Sequence, residues 1–230
     1  MNNICIIPAR GGSKRIPKKN IKHFLNKPII SYTIKVALNS KLFDEVMVST
    51  DDNRIAEIAL KYGAKVPFKR SKKNSNDYAT TFDVLNEVLK DYKKNNKTFD
   101  NVCCIYPCSP FLTTDTLNKA FKLLNENKFD SVFPVVSYNS PIQRALKLTG
   151  KKVKMINDIY LNTRSQDLEQ SYYDAGQFYW CKVQALLKNK KIFASNSGGL
   201  KISELDAQDI DTIIDWKLAE LKYKLKSEVS

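Results

Sequence analysis

Histidine and arginine are scarce in this chain of 230 residues: one histidine, His23, and six arginines against 32 lysines. A single histidine disfavours His-dependent triads and His-rich metal sites, and His23 is expected at the edge of a basic loop. Five cysteines (Cys5, Cys103, Cys104, Cys108, Cys181) form no C-x-x-C pair, which argues against zinc and for buried free thiols. Adjacent Cys103 and Cys104 lie in an apolar run, so a strand would point them to opposite faces. No apolar run approaches transmembrane length. Ile4–Ile7 is too short for a signal-peptide core, and Pro8-Ala9-Arg10 ends it. A cytoplasmic protein with no membrane partner is expected. No repeat or low-complexity linker divides the chain, so residues 1–230 read as a single domain.

What is present is an ordinary globular composition, 43% hydrophobic and 10% aromatic, with a formal net charge of +14. Lysines spread over a solvated surface account for such a charge, and no basic stretch with interleaved aromatics marks a nucleic-acid surface. A non-catalytic basic nucleic-acid-binding protein is therefore the different-class alternative, and no nucleic-acid partner is expected. The arginines are more informative. Arg10, Arg15, Arg70, Arg144 and Arg164 fall in polar, non-periodic segments, and only Arg54 falls on a predicted helix face. Where lysine is the default cation, arginine marks a need for a planar, bidentate donor.

Short apolar runs alternate with helical periods, the α/β pattern. Strands are expected at 3–8, 45–49, 101–106, 130–136 and 176–181. Helical stripes follow at Ile55/Ile58/Ala59/Tyr62, at Phe82/Leu85/Leu89/Tyr92 with Thr80 as N-cap, and at Leu117/Ala120/Phe121/Leu124. A last helix over 212–225 sets Ile214, Leu218, Leu221 and Leu225 on one face, and all four stripes are read as core. From about 137 to 173 no clean period exists, and the segment is expected to form an arm or small subdomain.

Four polar clusters punctuate this pattern. The first, Ile6 to Asn20, breaks a strand into Gly11-Gly12-Ser13 and five cations within ten residues. It fits neither the G-x-G-x-x-G nor the Walker A spacing, yet such a loop can bring amides and positive charge to one polyphosphate. A solvated basic turn is the plainer reading of that loop alone. The others are Arg70 to Thr81, the Gln143-Arg144 and Arg164 arm, and Asp209-Ile210-Asp211. In extended backbone, Asp209 and Asp211 share a face, and a hard cation with phosphate oxygens relieves their repulsion. The plainer reading of this pair is two solvated acids in a turn.

The stretch Ile7 to Asn20 resembles the CTP-binding signature of the CMP–sugar-acid synthetases, the cytidylyltransferases that activate sialic acid and its relatives. Val48–Asp52, Asn76–Thr81, Pro107–Phe111 and Asp209–Thr212 are similar to further family motifs, in the same order and at similar spacing. Ser140–Leu146, Thr163–Glu169 and Tyr173–Trp180 resemble the pseudaminic acid branch. Sialic acid enzymes carry Asn-Gly where this chain has Asp174-Ala175, and a glutamine near the cytosine where it has Tyr106.

The resemblance implies a Rossmann-like nucleotidyltransferase fold of mostly parallel sheet with a small projecting dimerisation and sugar-binding arm, a homodimer, and Mg²⁺ dependence. It implies transfer of CMP from CTP to the anomeric hydroxyl of pseudaminic acid, with release of pyrophosphate, for surface glycan or flagellin glycosylation. Legionaminic or N-acetylneuraminic acid is the alternative acceptor within the family. Carried over by position, Arg10, Gly11, Gly12, Ser13, Lys14 and Lys19 bind the triphosphate, with Arg10, Lys14, Lys19 and Asp211 as the catalytic set. Asn20, Arg70, Ala79 and Thr81 surround the cytidine. Asp209 and Asp211 bind the metal. Gln143, Arg144, Arg164 and Gln177 meet the sugar acid, Arg164 at its carboxylate. No protein nucleophile is required, and the general base stays open between Asp211, a metal-bound hydroxide and a water.

Overall fold

A computed structural model describes residues 1–229. Its centre is strand β1 (Asn3–Pro8), whose Ile4-Cys5-Ile6-Ile7 run is buried on both faces. Such a run suits a strand covered by helices above and below. Strands β4 (Glu45–Ser49) and β5 (Asn101–Ile105) pair with it in parallel, with Ile4 opposite Glu45 and Val102. The sheet continues through β10 (Phe178–Lys182), β6 (Ser131–Ser137) and β11 (Ser197–Lys201), in the order β11-β6-β10-β5-β1-β4. Only β10 runs against the rest of that path, and β9 (Tyr172–Asp174) adds antiparallel to β6. The expected α/β class and mostly parallel sheet are what the structure has, and all five expected strands are present with ends shifted by at most two residues.

Helices cover both faces. Helices α1 (Ile29–Asn39), α2 (Asn53–Lys61) and α4 (Thr114–Glu126) pack Ile34, Ile55, Ala59, Leu117 and Leu124 on Cys5, Ile7, Val48, Cys103 and Trp180. On the other face α3 (Thr81–Lys94) and α5 (Val183–Asn189) bring Leu85, Leu89, Tyr92 and Leu186 to Ile4, Ile6, Cys104 and Tyr179. Cys103 and Cys104 thus face opposite cores, and all five cysteines are free thiols. Helix α3 begins at a reciprocal capping box: Thr80 Oγ1 accepts the Asp83 amide and the Asp83 carboxylate accepts the Thr80 amide. Helix α1 has no capping side chain and is rich in β-branched residues, so local propensity is weak and burial of Ile29, Ile30 and Ile34 holds it.

The last helix, α6 (Ile213–Val229), departs from expectation. The predicted stripe is not core: Ile214, Leu218, Leu221 and Leu225 are 70%, 46%, 63% and 50% exposed. Trp216 and Ala219 are buried instead, with Tyr223 packed beside them against Ile16, Phe24 and Phe111. Both rows follow helical spacing. The aromatic row is chosen because Phe24 meets Trp216 at 5.8 Å and Tyr223 at 5.5 Å, which buries more ring surface than the leucine row could.

Two small ribbons complete the chain. Strands β2 (His23–Phe24) and β3 (Lys27–Pro28) follow the basic loop, with His23 exposed at its edge. Within the non-periodic segment, β7 (Leu146–Thr149) and β8 (Lys152–Met155) pair only with each other, and all their residues but Met155 are exposed. No described helix is long and apolar enough to cross a membrane.

Candidate active site

A cavity of about 660 Å³ opens beyond the carboxyl ends of β1, β4 and β5. Ligands of open α/β sheets gather at this edge, where loops leave parallel strands and amides point outward. Its walls come from the loop after β1 (Arg10, Ser13, Lys14, Arg15, Lys19, Asn20), from Arg70 to Thr81, from Tyr106 to Cys108, and from Gln208 to Ile210.

The loop after β1 is held by its own polar groups. Ala9 donates its amide to the Ser49 carbonyl at 2.9 Å, and Asn20 Nδ2 donates to the Arg10 carbonyl at 2.9 Å. The Gly11 amide donates to Asp51 Oδ1 at 3.0 Å. A Cβ at Gly11 would stand 2.9 Å from Asp52 Oδ2, and Asp52 caps α2 through the Arg54 and Ile55 amides. Glycine is needed there for close approach. Gly11 and Gly12 are not among the cavity-lining residues.

Two carboxylates answer the loop's cations. Asp77 bonds Arg10 at 2.7 Å and Lys14 at 2.5 Å, and those two partners hold its carboxyl below the ordinary range. Asp211 pairs with Arg15 at 2.8 Å and Lys19 at 3.4 Å, while Lys19 Nζ donates to the Ile210 carbonyl at 2.6 Å. Asp209 lines the cavity, and burial, reinforced by the Asp211 charge, pushes its carboxyl upward. Among the described residues no cluster of three or more His, Cys, Asp or Glu exists that could ligate a metal without outside donors.

At the opposite end, Arg70 is 7% exposed, and its guanidinium donates to Ser49 Oγ at 3.0 Å and to the Ser49 carbonyl. Burial lowers its pKa to about 10, so it stays cationic at neutral pH. Thr81 Oγ1 lies 3.0 Å from Tyr106 Oη, and burial raises the phenol's pKa. Cys108 donates to Asn20 Oδ1 at 3.5 Å, and burial pushes its thiol up to about 12. A thiol protonated at neutral pH is no nucleophile.

The structure therefore gathers Arg10, Ser13, Lys14, Lys19, Asn20, Arg70, Ala79, Thr81 and Asp209 around one cavity, with Asp211 reached through Lys19. The arm residues stand apart from it. Gln143 Nε2 donates to the Glu169 carbonyl at 2.9 Å, Arg144 to Ser165 Oγ at 3.2 Å, and Arg164 to Asp167 at 2.7 Å. None of the three lines the cavity. Gln177 is buried, its amide donating to the Asp206 carbonyl. Sequence reasoning assigned no role to Asp77, Asn74, Asn76, Cys108 or Gln208, which also form the wall. Asp77 lies inside the quoted Asn76–Thr81 motif, but its pairing with the first loop is non-local.

The cytidylyltransferase family profile matches residues 4–208. The chain is 44% identical over 229 residues to pseudaminic acid cytidylyltransferase of Campylobacter jejuni, covering 99% of each chain. It is 31% identical over 233 residues to CMP-N,N'-diacetyllegionaminic acid synthase of Legionella pneumophila, again covering 99% of each. Among solved structures, CMP:2-keto-3-deoxy-manno-octonic acid synthetase complexed with CTP superposes with a TM-score of 0.72, covering 99% of this chain and 100% of that one. At 17% identity that likeness shows the fold alone.

Proposed function

The chain belongs to the cytidylyltransferase family, and on that premise we propose that it transfers CMP from CTP to the anomeric hydroxyl of pseudaminic acid. The carrying observation is convergence: residues from the loop after β1, the segment 70–81 and the segment 208–210 wall one cavity. These are the segments in which the triphosphate, cytidine and metal roles were expected. The full-length relative at 44% identity supports the choice of sugar acid.

CTP brings about four negative charges, and an anionic sugar acid must approach its α-phosphorus, so the site must screen like charges. Arg10, Lys14 and Lys19 supply that screening along the triphosphate. The anomeric hydroxyl gives up its proton to Asp211 or to water as its oxygen bonds the α-phosphorus, the bond from that phosphorus to the oxygen bridging to the β-phosphorus breaks, and pyrophosphate leaves with the charge that these cations stabilise. Arg70, Ala79 and Thr81 surround the cytidine, and Asn20 holds the Arg10 carbonyl in place.

Asp209 and Asp211 suit Mg²⁺, which takes one or two carboxylates and completes its shell with phosphate oxygens and water. Partial burial and, second to it, the Asp211 charge raise Asp209, and a cation between the two carboxylates would relieve that repulsion. Held by Asp209 and Asp211, such an ion would neutralise charge on the phosphate oxygens.

We further assign Arg144 and Arg164 to the sugar acid across a homodimer, each arm serving the partner's cavity. Their absence from the wall of their own chain's cavity and the exposed Leu146, Leu148 and Val153 of the β7–β8 hairpin support this reading. The cytoplasm, where CTP is made, is the proposed setting.

Incubating the protein with CTP, Mg²⁺ and a panel of pseudaminic, legionaminic and N-acetylneuraminic acids, with products identified by NMR, tests the proposal. CMP-pseudaminic acid as the dominant product supports it. Preference for another acid overturns the choice of sugar, and no CMP-sugar with any acid overturns the activity.

A further inference from the structure

Gln177 is absent from the cavity wall, although Gly176 beside it lines the cavity. It is 3% exposed, and its Nε2 donates to the Asp206 carbonyl. A carbonyl only accepts, so the amide nitrogen and not the amide oxygen must face it. The main-chain carbonyl of Gln177 accepts in turn from the Tyr106 amide at 2.8 Å and from Ser109 Oγ at 3.3 Å. One residue thus joins the 106–109 wall to the segment that carries Asp209 and Asp211.

That segment is strung between two anchors. Upstream, Ala207 packs with Val136 and Ala175, and Lys222 Nζ of α6 donates to the Ala207 carbonyl at 3.1 Å and to the Glu204 carbonyl at 3.3 Å. Downstream, Ile210 is buried with Phe111 and Trp216, and its carbonyl accepts from Lys19 at 2.6 Å. Only Gln208 and Asp209 lie between, and both line the cavity. So short a span has little slack, and the place of the Asp209 carboxylate follows from the carbonyls held at 206 and 207.

We infer that Gln177 and Lys222 are positioning residues for the carboxylates assigned to Mg²⁺, and that the Gln177 side chain serves the metal side of the reaction instead of the sugar acid. The inference rests on the proposed nucleotide and metal site and adds what holds its acids in register with the cavity. Loss of either donor leaves a main-chain carbonyl without that partner and frees the upstream end of the span. The ion's hold then weakens although no ligand has been removed.

Calorimetric Kd values for CTP, with Mg²⁺ and with EDTA, are compared in wild type, Gln177→Met and Lys222→Met, beside the Michaelis constant for pseudaminic acid at saturating Mg²⁺. Gln177→Met keeps the length and burial of the side chain and removes the donor. Mg²⁺ is expected to tighten CTP binding in wild type, and in both variants that gain should shrink about tenfold or vanish. The Kd in EDTA and the sugar-acid Michaelis constant should stay within about twofold of wild type. Lys222→Met carries the test if Gln177→Met fails to fold. A merely structural role weakens CTP binding with and without the ion alike, and that result overturns the inference, as does an unchanged Mg²⁺ gain. A raised sugar-acid constant beside an intact gain returns Gln177 to the sugar. A wild type that binds no CTP overturns the function reading with it.

Discussion

Asp77 holds Arg10 at 2.7 Å while also pairing with Lys14, so one carboxylate occupies two of the cations assigned to the triphosphate. The nucleotide must displace it or share its partners. Asp77→Asn is expected to lower the CTP Michaelis constant about two- to fivefold at low salt, a modest gain because both pairs are partly exposed. Steady-state kinetics at two ionic strengths check this. A raised constant at both would make Asp77 a necessary part of the CTP site.

Removing a carboxylate that its surroundings disfavour should separate activity from stability. Asp209 is disfavoured by burial and by Asp211. Asp209→Asn is predicted to keep a melting temperature at least as high as wild type while turnover with Mg²⁺ falls by about a hundredfold or more. Scanning calorimetry beside a pyrophosphate-release assay reads both. Near-normal turnover would remove Asp209 from the metal site.

The cross-dimer arm makes an arithmetic prediction. Arg164→Ala and Lys19→Ala should each be nearly inactive alone. Mixed and reassociated, half of the dimers carry one of each chain, and each of those has one competent site of two. About a quarter of wild-type activity should return if the arm serves its neighbour. No recovery would place the arm's action within its own chain.

Away from the site, Glu45 is 3% exposed between Lys97 and Lys65. Burial alone would raise its pKa, but hydrogen bonds from both lysines outweigh burial and leave it lowered. A depressed carboxylate stabilises the fold above its ordinary range and loses that contribution as pH falls through the lowered value. Glu45→Gln should cost about 1–3 kcal/mol at pH 7. The gap to wild type should close toward pH 3, as urea titrations at both pH values would show.

Elements whose reason is local could be read from the sequence. β1 declares itself by Ile4–Ile7 and α3 by Thr80 with its stripe. α1 could not be read, because Pro28 offers no capping side chain and its β-branched residues weaken the helical signal. β11 could not either: Gly198 and Gly199 speak against a strand, yet a Cβ at Gly198 would stand 2.5 Å from the Phe129 ring. α6 carries two apolar rows, and the choice between them depends on Phe24, far away in sequence. In the site, the cations and acids were visible as clusters. Their pairing, Asp77 with Arg10 and Asp211 with Arg15, depends on contacts made only in the folded chain.

Calorimetric titration of the protein with CTP in the presence of Mg²⁺ tests the nucleotide cavity most directly. One CTP per chain should bind, and Arg10→Ala and Lys19→Ala should each weaken it about tenfold or more. Folded protein that gives no binding heat under varied temperature, or variants that bind as wild type does, would contradict the assignment of this cavity to CTP.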